Sequence, residues 1–268
     1  MKRYRTGWVS DLHLGTRGSD ARSFLAFLRD HDFGTLYLVG DLIDIWSLRR
    51  GLYWPQSHND VIQKILRKAR KGTRVIYIPG NHDEFLLSHL GAYGAITIQK
   101  HAIHVTADGR RLLVIHGHEL DTVVQNAKWL ALLGDFGYQL LLALNPLVNS
   151  VRRVFGFGYW SLSQAAKRKV KDAVSFISAY EEGIVRYAQR FAVQGVLCGH
   201  IHTPMIRQID RTTYYNCGDW VENCSVMVEH DDGRIELLTN LQLRRPDNIT
   251  PFRPELADAP CFSTTASL

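Results

Sequence analysis

Five times along this chain a short apolar, strand-like run gives way to a turn carrying aspartate, asparagine or histidine. The turns are Asp11-Leu12-His13, Gly40-Asp41-Leu42-Ile43-Asp44, Gly80-Asn81-His82-Asp83, His116-Gly117-His118 and Gly199-His200-Ile201-His202. Strands laid side by side in one direction put such turns on one sheet edge, so the pattern constrains both the fold and the place of its chemistry. A lone histidine is usually a packed or hydrogen-bonded core residue. A histidine or carboxylate at the end of five separate strands is hard to explain that way.

The centre of the pattern is Gly40-Asp41, delivered by Leu36-Tyr37-Leu38-Val39. Asp41 is the candidate carboxylate shared by two metal ions, and Asp44, three residues on, is close enough to hydrogen-bond whatever Asp41 binds. Asp11 and His13 end a strand expected over residues 7–14, where positions two apart point to one side and could grip one ion together. The same argument applies to His200 and His202. It leaves open whether His116 or His118 is the donor from the fourth turn. Asn81 and His82 sit on a glycine-enabled turn after a strand over residues 73–78. Seven oxygen and nitrogen donors without a thiolate suit two divalent ions such as Mn²⁺, with Fe²⁺ or Zn²⁺ as alternatives. With His116 taken for the fourth turn, one site would hold Asp11, His13, Asp41 and His202, the other Asp41, Asn81, His116 and His200.

Between the turns the periodicity predicts helices over residues 23–30 and 57–71, the latter with Val61, Ile62, Ile65, Leu66 and Ala69 inward. Further strands are expected at 35–39, 96–98, 101–106, 111–115, 193–198, 214–220, 225–229 and 234–238, with hairpin turns at Asp108-Gly109 and Asp232-Gly233. Residues 45–55 read as an aromatic and basic loop. Arg49 and Arg50 could meet substrate phosphates and Trp46, Tyr53 and Trp54 could stack on a base or sugar, or the loop packs its aromatics over the sheet. From residue 122 to about 190 the pattern becomes helical, an insertion or cap on an α/β domain of residues 1–243. Its run Trp129 to Leu144 is apolar but short and interrupted by Asp135, below the roughly 20 residues needed to cross a bilayer. Residues 244–268 hold four prolines and little periodicity, and are expected to form a disordered tail.

Charge narrows the partners. The net +6 is concentrated, since residues 145–190 hold eight Lys/Arg against three acids. Arg152, Arg153 and the run Lys167 to Lys171 stand beside apolar helix, a pairing that suits a lipid with an anionic headgroup or peripheral contact with an anionic inner membrane. A helical pair buried against the main domain with a solvated cationic face is the plainer reading. The four cysteines match no zinc or redox spacing and read as reduced thiols, and the N-terminal residues are too polar for a signal-peptide core. A cytoplasmic protein without a transmembrane segment is expected.

Taken together and in this order, the five turns resemble the sequence blocks of the calcineurin-like metallophosphoesterase superfamily. The resemblance implies a four-layer α/β/β/α sandwich and the ligand set above, with His116 rather than His118. It also implies that His82 stands beside the scissile phosphate with Asp44 orienting it, whereas Asp83 is read as the cap of the following helix. Block spacing and the helical insertion are similar to the UDP-2,3-diacylglucosamine diphosphatase group of lipid A biosynthesis, in which such an insertion is a lid over acyl chains. That likeness implies a phosphorylated, lipid-linked substrate, with Trp46, Arg49, Arg50, Arg152 and Arg153 as candidate contacts. His82 stands where that group usually has arginine, and Asp44 where some members have glutamate, which moves the chain towards general phosphoesterases. Two rival readings are a phosphodiesterase of nucleotides or nucleic acid, and a non-catalytic scaffold binding a membrane or partner. No nucleic-acid partner is expected, and the complete ligand set speaks against the scaffold.

Overall fold

A computed structural model of the protein describes residues 2–120, 177 and 180–241. The expected lid residues 121–176, with Arg152 and Arg153, and the tail from residue 242 lie outside the described residues.

Two mixed β-sheets face each other. The larger runs β12(Ile235–Leu238), β11(Val226–Glu229), β1(Lys2–Val9), β2(His31–Val39), β3(Arg74–Ile78), β5(Ile96–Ile98), β4(Gly91–Tyr93). The smaller runs β6(Ala102–Val105), β7(Arg111–Val114), β8(Gly195–Cys198), β10(Thr212–Asn216), β9(Met205–Ile209). Strands β1, β2, β3 and β5 are parallel, as are β7, β8 and β10. The β6–β7 and β11–β12 hairpins turn at the two predicted Asp-Gly pairs, with Gly109 and Gly233 at φ +85° and +86°.

The alternation of each strand decides the layers. On β2, Leu36 and Leu38 face the helices α1(Ala21–Asp30) and α3(Gln56–Arg70), packing with Phe24, Leu28, Val61 and Ile65. Tyr37 and Val39 face the other way and meet Leu112, Val114 and Leu197 of the second sheet. On β8, Leu197 joins this middle core, while Val196 and Cys198 point outward to Tyr180, Ile184, Val185 and Ala188 of helical residues 180–188. Helix, sheet, sheet and helix therefore stack as four layers around three apolar clusters.

Several local expectations need correction. Helix α1 starts two residues early because Asp20 caps it, accepting from Ser23 N at 3.1 Å. Residues 45–50 are not loop but the short helix α2(Ile45–Arg50), capped by Asp44 Oδ1 on Ser47 N at 2.7 Å. Leu66 lies on the outer face of α3, half exposed, while Val61, Ile65 and Ala69 are buried. The strand expected over 214–220 stops at Asn216, since Gly218 turns the chain with φ +73°. Strands β4, only three residues long, and β9, a partly exposed edge strand, are not expected from the pattern.

Candidate metal centre

Parallel β1, β2 and β3, and parallel β7 and β8, end at the same edge of the sandwich, and each is followed at once by one of the five turns. The first two turns are zipped together: Asp11 N donates to Gly40 O at 3.1 Å, His13 N to Asp41 O at 2.9 Å and Leu14 N to Leu42 O at 2.9 Å.

The reason Asp11 and His13 face one point differs from the one expected. Neither lies in extended chain, because β1 ends at Val9 and both residues take left-handed backbone, with φ of 53° and 50°. Asp41, His200 and His202 do the same, at 53°, 71° and 53°. Five of the nine described non-glycine residues with positive φ are therefore residues of this cluster. Such conformations cost about 1–3 kcal/mol each and persist where the surroundings enforce them. Left-handed kinks, not strand alternation, aim these side chains.

Glycine at two block positions is a matter of space. A Cβ on Gly40, whose φ is +77°, would lie 2.1 Å from His116 Nδ1, and one on Gly80 would lie 2.2 Å from Asp41 Oδ1. Both backbones must pass directly against the cluster.

At the centre, His202 Nε2 is 3.1 Å and His13 Nε2 3.7 Å from Asp11 Oδ1, and the two ring nitrogens are 3.3 Å apart. His116 Nε2 is 3.4 Å from Asp41 Oδ2, while its Nδ1–H donates to Val39 O at 2.9 Å, which turns Nε2 toward the cluster. Three groups of His and carboxylate donors are close enough to share a cation: Asp11, His13 and His202; Asp11, Asp41 and His116; and His13, Asp41 and His82. The first matches the predicted first site without Asp41. The second joins Asp41 and His116 through Asp11 rather than through His200. The backbone N–H of His200 donates to Asp11 Oδ2 at 2.8 Å, and its ring centroid is 5.1 Å from that of His116. His118 lies one step outside, its ring 5.4 Å from His116.

The cluster's demand for positive charge is visible in its polar atoms. Asp11 Oδ1, Asp41 Oδ2, Asn81 Oδ1 and His116 Nε2 are buried yet make no hydrogen bond. Buried acceptors left in that state cost about 1–3 kcal/mol each, so they fit a donor set built for cations. Burial alone would push the imidazoles down, but Asp11 and Asp44 hold His13 up to about 10, and Asp41 holds His116 up to about 10. Burial would raise the carboxyls too, yet His202 and His13 keep Asp11 well below the usual carboxylate range, and His116 does so for Asp41. Either ring protons or bound cations must neutralise the two buried carboxylates.

Asp44 does more than orient one histidine. Its Oδ2 lies 3.0 Å from His82 Nδ1 and 3.3 Å from His13 Nδ1, while Oδ1 caps α2. The hydrogen bonds from His13 and Ser47 N, with the nearby His82 ring, outweigh burial and keep its carboxyl far below the usual range. His82 Nε2 is 3.9 Å from Asp41 Oδ2, and the half-exposed indole of Trp46 covers its ring at 4.2 Å between centroids. Beside them opens a cavity of about 430 Å³ lined by Trp46, Arg49, Asn81, His82, Glu84 and Phe85 among others. Arg50, exposed at the end of α2, is not among its lining residues. Tyr53 and Trp54 pack edge-on around buried His58.

Asp83 is not a helix cap. Its carboxylate makes no cap hydrogen bond to the turn that follows. Instead it accepts from Leu42 N at 2.8 Å, Gly80 N at 2.6 Å, Asp41 N at 3.3 Å and the Tyr77 hydroxyl. The fully buried group binds the second turn to the third. Two residues escaped the sequence reading. Asp219 gathers the backbone N–H groups of Val221 and Glu222 and places Oδ2 3.9 Å from His202 Nδ1, while Asn223 Nδ2 donates to His202 O at 2.9 Å. The signal was Gly218-Asp219, a second Gly-Asp pair after a strand, read as strand continuation.

The chain is similar to several known proteins. Residues 4–204 match the model of a family described as calcineurin-like phosphoesterase. Curated relatives named UDP-2,3-diacylglucosamine hydrolase include those of Shewanella halifaxensis, 25% identical over 87% of this chain and 97% of its own, and of Photorhabdus laumondii, 25% identical over 87% and 98%. Among solved structures, wild-type Vps29 complexed with zinc from Entamoeba histolytica covers 93% of this chain and 97% of its own at 12% identity, with a TM-score of 0.45. Among the described residues no helix is long and apolar enough to cross a membrane.

Proposed function

The chain belongs to the calcineurin-like phosphoesterase family, a family of metal-dependent hydrolases of phosphoric ester and diphosphate bonds, and from that premise we propose that it cleaves the diphosphate of a lipid-linked nucleotide such as UDP-2,3-diacylglucosamine. The observation carrying the reading is the set of buried acceptors without hydrogen bonds, Asp11 Oδ1, Asp41 Oδ2 and Asn81 Oδ1, brought to one edge on left-handed turns. In this reading Asp11, His13, Asp41 and His202 hold one divalent ion and Asp41, Asn81, His116 and His200 the other, with Mn²⁺ the preferred metal. When bound, such a pair supplies Lewis acidity and a water nucleophile at neutral pH.

The chain's own residues do the rest. Asp44 aligns His82, whose ring delivers a proton to the leaving oxygen or a hydrogen bond to the charge developing there, worth about 10² to 10⁴ in rate. Trp46 covers the outer face of that ring and limits its rotation. Arg49, in the adjoining cavity, meets a phosphate oxygen of the substrate.

The substrate rests on the curated relatives, which span nearly the same length as this chain. His82, where that group usually has arginine, favours a second reading, a phosphodiesterase of other phosphorylated lipids or nucleotides. The deciding experiment is Mn²⁺-dependent turnover of UDP-2,3-diacylglucosamine by purified protein, with UMP release followed and Asp41→Ala alongside. Wild-type release of UMP, lost in the variant, is the expected result. Hydrolysis of a small aryl phosphodiester without UMP release would replace the lipid substrate and keep the centre. Equal metal content and activity in wild type and variant would overturn the centre itself.

A further inference from the structure

At the opposite end of the larger sheet, where β1, β2 and β3 begin, lies a cavity of about 470 Å³ that the chemistry above does not use. Its walls bring together Arg3 of β1, Asp32 and Phe33 of β2, and Lys64, Arg67, Lys68 and Lys71 from the end of α3. Phe33 and Asp41 are eight residues apart along β2 and its turn, so at ~3.3 Å per residue this cavity lies about 25 Å from the metal cluster.

Five cations surround one carboxylate, a surplus of four charges. The carboxylate is already engaged: buried Lys68 donates through Nζ to Asp32 Oδ1 at 2.7 Å and to His31 O at 2.5 Å. Among the described residues, Arg3, Lys64, Arg67 and Lys71 make no salt bridge, although a single surface carboxylate nearby would suffice for each. Helix dipole compensation accounts for Arg67 and Lys68 in the last turn of α3. It does not account for Lys64, a turn earlier and half-buried, nor for Arg3, which comes from a different element. Burial and the charges of Lys68 and Lys71 press Lys64 below the usual lysine range, so the cluster as it stands repels itself. The concave shape and the single aromatic wall, Phe33, leave a space that is cationic rather than apolar.

We propose that this cavity is a second anion-binding site, separate from the metal centre, which takes a ligand with clustered phosphates. The same chemistry is offered by a soluble diphosphate and by the headgroup of an anionic lipid. Lys64, Arg67, Lys71 and Arg3 supply the attraction, while Lys68 and Asp32 hold the floor.

The test uses the full chain with its metals, two probes and the double variant Lys64→Ala/Lys71→Ala, with Arg67→Glu as an independent second variant. Inorganic pyrophosphate binding is measured by calorimetry, and co-sedimentation is measured with phosphatidylglycerol/phosphatidylcholine vesicles against phosphatidylcholine alone. The wild type is expected to show a binding event at least tenfold weaker in both variants, while turnover of a small aryl phosphodiester stays unchanged. Loss confined to pyrophosphate identifies soluble phosphates as the ligand, and loss confined to anionic vesicles identifies a lipid headgroup. Equal binding of both probes by wild type and variants would overturn the site.

Discussion

Two buried polar clusters in this molecule each pair a carboxylate with imidazole and treat the carboxylate in opposite ways. Between the sheets, buried Glu229 of β11 accepts from Thr6 Oγ1 at 2.7 Å, His104 Nε2 at 2.9 Å and Ala107 N at 2.7 Å, with Arg5 Nε at 3.2 Å. His104 in turn reaches the Tyr37 hydroxyl at 3.3 Å, so strands β1, β2, β6 and β11 are tied by one satisfied network. At the sheet edge, Asp11, Asp41, Asn81 and His116 keep buried atoms without hydrogen bonds, and Asp11 and Asp41 do so on left-handed backbone. A carboxylate surrounded by protein donors serves the fold. One that keeps an oxygen without a protein hydrogen bond, beside a second carboxylate and several imidazoles, is arranged as a cation's donor set would be.

The contrast can be broken by mutation, and the largest effect is expected at its centre. Asp41→Asn should lower turnover by about 10³-fold or more and reduce the metal measured per chain by elemental analysis, with the folded structure retained. An undiminished metal count would make the edge cluster a second structural network. Next, His82→Ala should cost about 10² to 10⁴ in kcat at unchanged metal content, and a matching loss of metal would instead assign His82 to the third cation-sized group. Asp44→Asn should cost about 10- to 100-fold, because it leaves both His13 and His82 without their orienting carboxylate; steady-state kinetics with metal titration separates the two losses.

The smallest effect lies in the satisfied network. Glu229→Gln should leave turnover per folded molecule unchanged and cost about 1–3 kcal/mol by denaturant unfolding. The pH dependence has a definite sign. Burial would raise this carboxyl, but the hydrogen bonds from His104 and Thr6 hold it below the usual glutamate range. Its stabilisation is therefore fully present above the unfolded glutamate value of about 4.3 and is lost as pH falls through the lower folded value. The stability gap between wild type and Glu229→Gln should shrink on acidification below about pH 4, and a constant gap would show that charge is not what the network uses.

The strands were legible as apolar runs bounded by turn residues, whereas the four layers were implied only by the resemblance of the five turns. Leu36-Tyr37-Leu38-Val39 is apolar on both faces, so only the folded chain shows that Leu36 and Leu38 meet the helices and Tyr37 and Val39 the second sheet. The common edge was legible because every polar turn follows its strand without a gap. The aiming of the side chains was not, since a left-handed kink at Asp11, His13 or His202 leaves no periodic trace and is enforced by partners distant in sequence. Asp83 and Asp219 were missed or misread for the same reason. An aspartate before a helical turn looks like a cap until tertiary structure shows which backbone N–H groups it faces. Asp44 is read as a partner of His82 from the resemblance alone, while its hold on His13 comes from a contact distant in sequence.

Asp83 also bears on time rather than energy. Because it clamps the chain at Asp41, Leu42 and Gly80 by protein donors alone, the second and third turns keep their relation whatever occupies the edge. Ordering of these turns should then be complete before any ion arrives, and a chelator-treated protein is expected to keep them.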